Sequence, residues 1–384
     1  MRSGTLAAGA CALMIAGACH SSVSLSTASP SPTDLGQDSP AASLRVHVDL
    51  LFGEHAFVLG KLAVVAAGGR KDEFHSYAGV LAANAVDMAT VFKLAVGETG
   101  GQQITDAWTE GDNFYVAYLI AAVTQDHAKA DAAMTSLTSS YVPRLAAAIS
   151  SSAGLGSDQA TQLADRQVAA NKLVMDDAVA AAYPKLLTDL TASHAAAVSF
   201  ADAVAAQIVG RFPDRFPGAW NSGAATFRST VNELLQRQAY LLTMLTEAAA
   251  GAVQGEVAPV AGALAGNSVA IDARLQAAFG DASVKALDTL WEQESQLLAE
   301  YAKSGDRAIG QKVLNRAAPP VGIGAPYAPD LTTAFTAILK VVDDQRGTAF
   351  DTLGGDDRAA AVEFTAAADE ITEAAVRLAP AKLS

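Results

Sequence analysis

Apolar residues recur at intervals of three and four along this chain from residue 43 to its end, and strand-like alternation is absent. Val48, Leu51, His55, Val58, Leu62 and Val65 fall on one face of a first helix, which Gly68-Gly69 stops. A second helix is expected over about 72–96, ended by Gly97, and a third over about 104–123, carrying Trp108, Tyr115 and Tyr118. A fourth covers about 126–150 and breaks at 154–157. Two more span about 159–182 and 185–209, divided near Pro184. Short connections between such helices favour antiparallel neighbours, so the expected fold class is all-α.

The pattern then repeats. Trp108 and Trp291 lie 291 − 108 = 183 residues apart, and Trp occurs only three times, so the match carries weight. The same offset pairs Leu51 with Leu234, Leu59 with Leu242, Leu81 with Leu264, Asn84 with Asn267, Val86 with Val269, Gly97 with Gly280 and Tyr118 with Tyr301. Phe57 meets Tyr240. Later helices match at a smaller offset. The run His194 to Phe200 aligns with Arg358 to Phe364 at 164, which implies a deletion of 183 − 164 = 19 residues around the fourth helix. Asp176-Asp177 and Asp343-Asp344 recur at 167. A period this long reads as two tandem antiparallel helical bundles related by internal duplication, 43–218 and 219–384, and not as a solenoid. Each is long enough to bury a core of its own.

Ahead of the bundles the pattern changes. Arg2 followed by an apolar stretch of about ten residues, Leu6 to Ile15, has the form of an export signal and is too short to cross a bilayer. Ala16-Gly17-Ala18-Cys19 follows and resembles the lipobox of bacterial lipoproteins, in which the cysteine is acylated and becomes the first mature residue. Residues 1–18 are therefore expected to be a lipoprotein signal peptide, with Cys19 the lipidation site and membrane anchor. Two acyl chains give the stable anchoring that one cannot. Residues 19–42, rich in Ser, Thr and Pro, read as a disordered tether. No further uncharged stretch of eighteen apolar residues follows, so no second span is expected. The expected location is the extracytoplasmic face of a membrane.

Composition sharpens this picture. The chain is 51% hydrophobic but only 6% aromatic, and Ala is its commonest apolar residue, which suits helices packed closely through small side chains. Net charge is −14, and near −15 without Arg2. That balance repels phosphate backbones, so nucleic acid is not expected as a partner. Cys11 and Cys19 are the only cysteines, which leaves no disulfide framework and no cysteine-based nucleophile or metal site in the mature chain.

Five of six histidines lie within 47–194, and the second repeat has none. Glu54, His55, Asp87 and His194 form the one constellation that could gather ligands for a metal or haem from facing helices. The opposing reading is a set of interhelical hydrogen bonds. The Glu-x-x-His spacing of di-iron bundles and the His-Glu-x-x-His motif are both missing. Asn84 and Asn267 would satisfy a backbone or interhelical partner in each repeat, or contact a ligand. Trp108, Tyr118, Trp291 and Tyr301 fit core positions, with a ligand contact as the alternative. Asp176-Asp177 and Asp343-Asp344 read as solvated faces.

The residues Glu54-His55-Ala56-Phe57, Asn84, Trp108, Tyr118 and Phe212 to Gly218 resemble the pattern of a family of uncharacterised bacterial exported proteins with tandem helical bundles. That pattern runs Glu-His in the first helix, Asn in the second, Trp-x-x-His then Tyr in the third, and Phe-Pro-Asp-Lys-Phe-Pro-Gly at the bundle end. The resemblance covers nearly all of 44–384. This chain departs from it where the third-helix His becomes Gly111 and Glu294, and where Glu54-His55 becomes Arg237-Gln238. The resemblance implies the fold and no activity. The functional expectation is a non-enzymatic binding or structural module of the cell envelope, without a cofactor. Alternatives are a metal- or haem-binding bundle with a redox or storage role in the first repeat, and a carrier or sensor of an apolar ligand; a protein partner is unspecified.

Overall fold

A computed structural model describes residues 35–251, 255–317, 331–347 and 349–383, with the side chains of 281–289 outside the description. The signal segment, Cys19 and residues 318–329 of the Pro/Gly-rich stretch lie outside the described residues. Every regular element among the described residues is helical. The first set is α1 (Pro40–Ala67), α2 (Lys71–Val96), α3 (Glu98–Val123), α4 (His127–Ser136), a π-helical turn (Leu137–Tyr141), α5 (Val142–Ala153), α6 (Ser157–Val179) and α7 (Tyr183–Arg211). The second is α8 (Gly223–Ala249), α9 (Val257–Phe279), α10 (Asp281–Ser304), α11 (Arg307–Ala317), α12 (Thr332–Gly347), α13 (Phe350–Leu378) and the short α14 (Pro380–Leu383).

Local chemistry sets the helix ends. Ser39 Oγ accepts from the Ala42 amide at 3.2 Å, with Pro40 in the first turn, and Ser222 Oγ accepts from the Ala225 amide at 3.1 Å. Gly97 and Gly280 turn the chain with φ of 92° and 85°, a region open to glycine at little cost. The ordered part begins earlier than composition suggested. Gln37, Ala41 and Ala42 are buried, and Ser222 Oγ donates to the Leu35 carbonyl at 2.9 Å. Residues 35–42 therefore belong to the bundle and not to the tether.

α1 and α8 cross at the centre of the molecule. α2, α6 and α7 pack on α1, while α9, α10, α12 and α13 pack on α8; α13 also lies along α2. Phe57 and Tyr240 stack at the crossing, with ring centroids 5.3 Å apart and planes inclined by 15°. The buried apolar side chains of both sets join in one continuous cluster. α1, α2 and α7 are each long and apolar enough to cross a membrane by length and composition, contrary to the expectation of no further span. The reason is that two scattered charges do not offset so many Ala, Val and Leu. In α1 that apolar run is 83% buried inside the bundle, which gives a helix apolar on all sides the protein surroundings it needs.

Contacts recur between the two sets. Arg45 holds Asp202 through Nε and Nη2 at 2.6 and 3.1 Å, and Arg228 holds Asp369 through the same atoms at 2.9 and 3.0 Å. Arg45 Nη1 reaches the Trp220 carbonyl (3.5 Å) and Thr226 Oγ1 (3.3 Å) in the second set. Arg228 Nη1 reaches the Gln37 carbonyl (3.0 Å) and Ser43 Oγ (3.2 Å) in the first. Each arginine thus grips the other set, at positions 183 residues apart throughout. Asp369 and Asp202 lie 369 − 202 = 167 residues apart, as do the first residues of α13 and α7, 350 − 183 = 167.

Candidate functional site

Glu54, on α1, faces the crossing. Its carboxylate takes a bidentate bond from Arg358 of α13, Nε to Oε1 at 2.8 Å and Nη2 to Oε2 at 2.9 Å. Arg358 Nη2 also reaches Asp87 Oδ2 at 2.5 Å. Asn84 Nδ2 donates to Glu54 Oε2 (2.8 Å) and to the Leu51 carbonyl (2.9 Å), and the Tyr240 hydroxyl donates to Glu54 Oε1 (3.1 Å). Arg358 is held further into its charged form: burial opposes the charge, and Glu54 and Asp87 outweigh it. Glu54 and Asp87 are thereby brought together, by an arginine that sequence reasoning missed.

The histidines point elsewhere. His55 Nε2 pairs with Asp112 Oδ1 of α3 at 2.8 Å, and its ring packs edge-on against Trp108, centroids 4.7 Å apart. Tyr115 and Tyr141 extend that aromatic wall. Burial raises the Asp112 pKa, with His55 opposing the shift. His194 lies on α7 against Phe57 and beside Gly53, where an added Cβ would sit 2.7 Å from His194 Nε2 and 3.0 Å from Gln236 Oε1. Burial first, then the Arg237 charge, push its pKa down to about 3, so its imidazole is neutral. Glu54 and Asp87 share one cluster, while His55 and His194 each belong to another. No group of three or more His, Cys, Asp or Glu placed to hold a metal occurs among the described residues.

The remaining sequence candidates divide similarly. Asn267 repeats the Asn84 bond, donating to the Leu234 carbonyl at 2.9 Å, and it also donates to Gln238 Oε1 at 2.7 Å. The Tyr118 hydroxyl bonds Asp176, and the Tyr301 hydroxyl bonds Asp343 at 2.6 Å. Trp108 and Trp291 are buried in their bundles, and neither Nε1 has a protein hydrogen-bond partner. The place at which the family pattern carries a third-helix His differs between the sets. At Gly111 an added Cβ would lie 2.6 Å from Tyr141 Cδ2, because the Tyr141 ring fills that space. At Glu294 the carboxyl is fully buried, with Arg316 Nε 3.5 Å away, and burial pushes its pKa up to about 8.

A surface groove of about 400 Å³, lined by Asp72, His75, Ser76, Phe350 and Asp351, opens where α2 and α13 begin. Comparisons with protein-family models, curated proteins and solved structures found no match. One further partnership was signalled in the sequence. Lys61 is the only Lys or Arg between Arg45 and Arg70, in a run otherwise almost wholly apolar, so a buried counter-charge was required. It is Asp357.

Proposed function

We propose that the chain is a lipid-anchored, extracytoplasmic, non-enzymatic protein of the cell envelope, built by duplication of one helical bundle and acting as a binding or structural module. The single observation that carries the non-enzymatic reading is the engagement of Glu54 and Asp87 by Arg358, which spends the chain's best ligand-like carboxylates on joining its two halves. The reciprocal grips of Arg45 and Arg228, the matched Asn84 and Asn267 bonds, and the paired Tyr118–Asp176 and Tyr301–Asp343 contacts support duplication with offsets of 183 and 167. On this reading the sequence resemblance to tandem-bundle exported proteins fits both the fold and the anchor. The anchor is tested by fractionating cells that express wild type and Cys19→Ala and by labelling with a fatty-acid analogue. Wild type should be membrane-bound and labelled; the variant should be unlabelled and released. Unlabelled wild type, or label persisting in Cys19→Ala, would overturn lipidation at this site.

A further inference from the structure

Four carboxylic acids and two bases meet where the C-terminal ends of α1 and α8 come together with α2, α9 and α13. Lys61 donates to Tyr77 Oη (3.2 Å), to Thr243 Oγ1 (2.7 Å) and to Asp357. Tyr77 and Thr243 hydroxyls donate to Asp357 at 3.0 and 2.7 Å. Arg70 Nη1 bonds Glu73 at 2.7 Å and also bonds Glu247. Glu256, just before α9, is 1% exposed, and its Oε1 has no protein partner. Both ion pairs cross the seam, since Lys61 and Arg70 come from the first half and Asp357 and Glu247 from the second. The inventory is unbalanced: Glu73, Glu247, Glu256 and Asp357 face only Lys61 and Arg70.

Four buried acids cannot all ionise beside two bases at little cost. We propose that this seam is a proton-operated latch, tight while Glu73 and Glu256 are protonated and loosened when both ionise. The charges acting on Glu256 come from Glu247 of α8, Arg70 just before α2 and Lys61 of α1, and Glu256 in turn acts on Tyr183 of α7. Burial, with Glu247 adding to it and Arg70 and Lys61 opposing, pushes Glu256 up to about 8. Burial, opposed by Arg70, pushes Glu73 up to about 7. Both values lie above those of an unfolded chain. The stabilisation is therefore complete below about pH 4.5 and is lost as pH rises through 7 and 8. Added negative charge then falls on the contact between α1–α2 and α8–α9–α13. An exported protein would meet that pH change directly, although the latch itself depends only on the fold.

The test uses the purified full-length protein between pH 5 and 9. Melting temperature should fall from pH 6 to 9, and Glu73→Gln/Glu256→Gln, permanently neutral, should flatten that fall; Glu294→Gln removes a buried acid away from the seam and should leave the seam's response intact. Hydrogen exchange, corrected for its intrinsic rise with pH, should speed in α1, α2, α8 and α9 by about tenfold per pH unit for each of the two acids still protonated, and stay level in α4 to α6. Infrared spectra should show protonated carboxyl bands that disappear over the same range and that are weaker in each single variant, Glu73→Gln and Glu256→Gln, than in wild type, with Glu233 and Glu294 supplying the bands that remain; this reading survives if the double variant fails to fold. An unchanged slope in a folded double variant, uniform exchange along the chain, or carboxyl bands already absent at pH 6 would each overturn the latch.

Discussion

Lys61 and Asp357 are both fully buried, and on the duplication proposed above the positions matching them at offsets of 183 and 167 are Met244 and Leu190, also buried. One side of the molecule thus has an ion pair where the other has apolar side chains. Burying two charges costs much of what their attraction returns, whereas removing one partner strands the other. Lys61→Met alone is expected to destabilise the protein by about 3–5 kcal/mol in urea denaturation. Lys61→Met with Asp357→Leu should recover wild-type stability or exceed it. Losses that simply add in the double variant would show that the two charges do not stabilise each other, against this account. At this scale the sequence was half legible. Glu54 and Asp87 could be singled out as facing carboxylates, but Arg358 lies 304 residues from Glu54 and carries no local signature. His55 found Asp112, a residue that no motif marked.

Elements were more legible, because Gly and Pro punctuate them. α1, α2, α6 and α7 end or begin within about two residues of the expected positions. α3 is the exception, beginning at Glu98 where the sequence suggested 104. Gly100 and Gly101 are poor helix formers, yet the helix runs through them because Gly101 lies against the Lys93 backbone, where a side chain would not fit. The π-helical turn at Leu137–Tyr141 was not legible either; it buries Tyr141 against Gly111. This contact makes a sharp prediction. Gly111→Ala should cost about 1–3 kcal/mol through overpacking against the Tyr141 ring. Gly79→Ala, on an open face of α2 with nothing within 4 Å, should instead stabilise by about 0.5–1 kcal/mol. Equal effects of the two changes, read by thermal melting, would refute this account of Gly111.

For the whole molecule, length and composition suggested two bundles with a core apiece, whereas the buried apolar residues join in one cluster through the α1–α8 crossing. Periodicity tells which face of a helix is buried but not against which neighbour, so a shared core was invisible in the chain. Unfolding should therefore be a single cooperative event. Calorimetry at pH 6 is expected to give one peak with equal calorimetric and van't Hoff enthalpies. Two separated transitions would mean that the halves are energetically independent.

The exchanged grips of Arg45 and Arg228 have the logic of a handshake between identical partners, in which each hand holds what it offers. If one bundle gave rise to both, its ancestor would have met a second copy of itself across that surface as a free-standing homodimer. Fusion would then have released the seam from symmetry, so that one flank could keep Met244 and Leu190 while the other acquired a charge on each side.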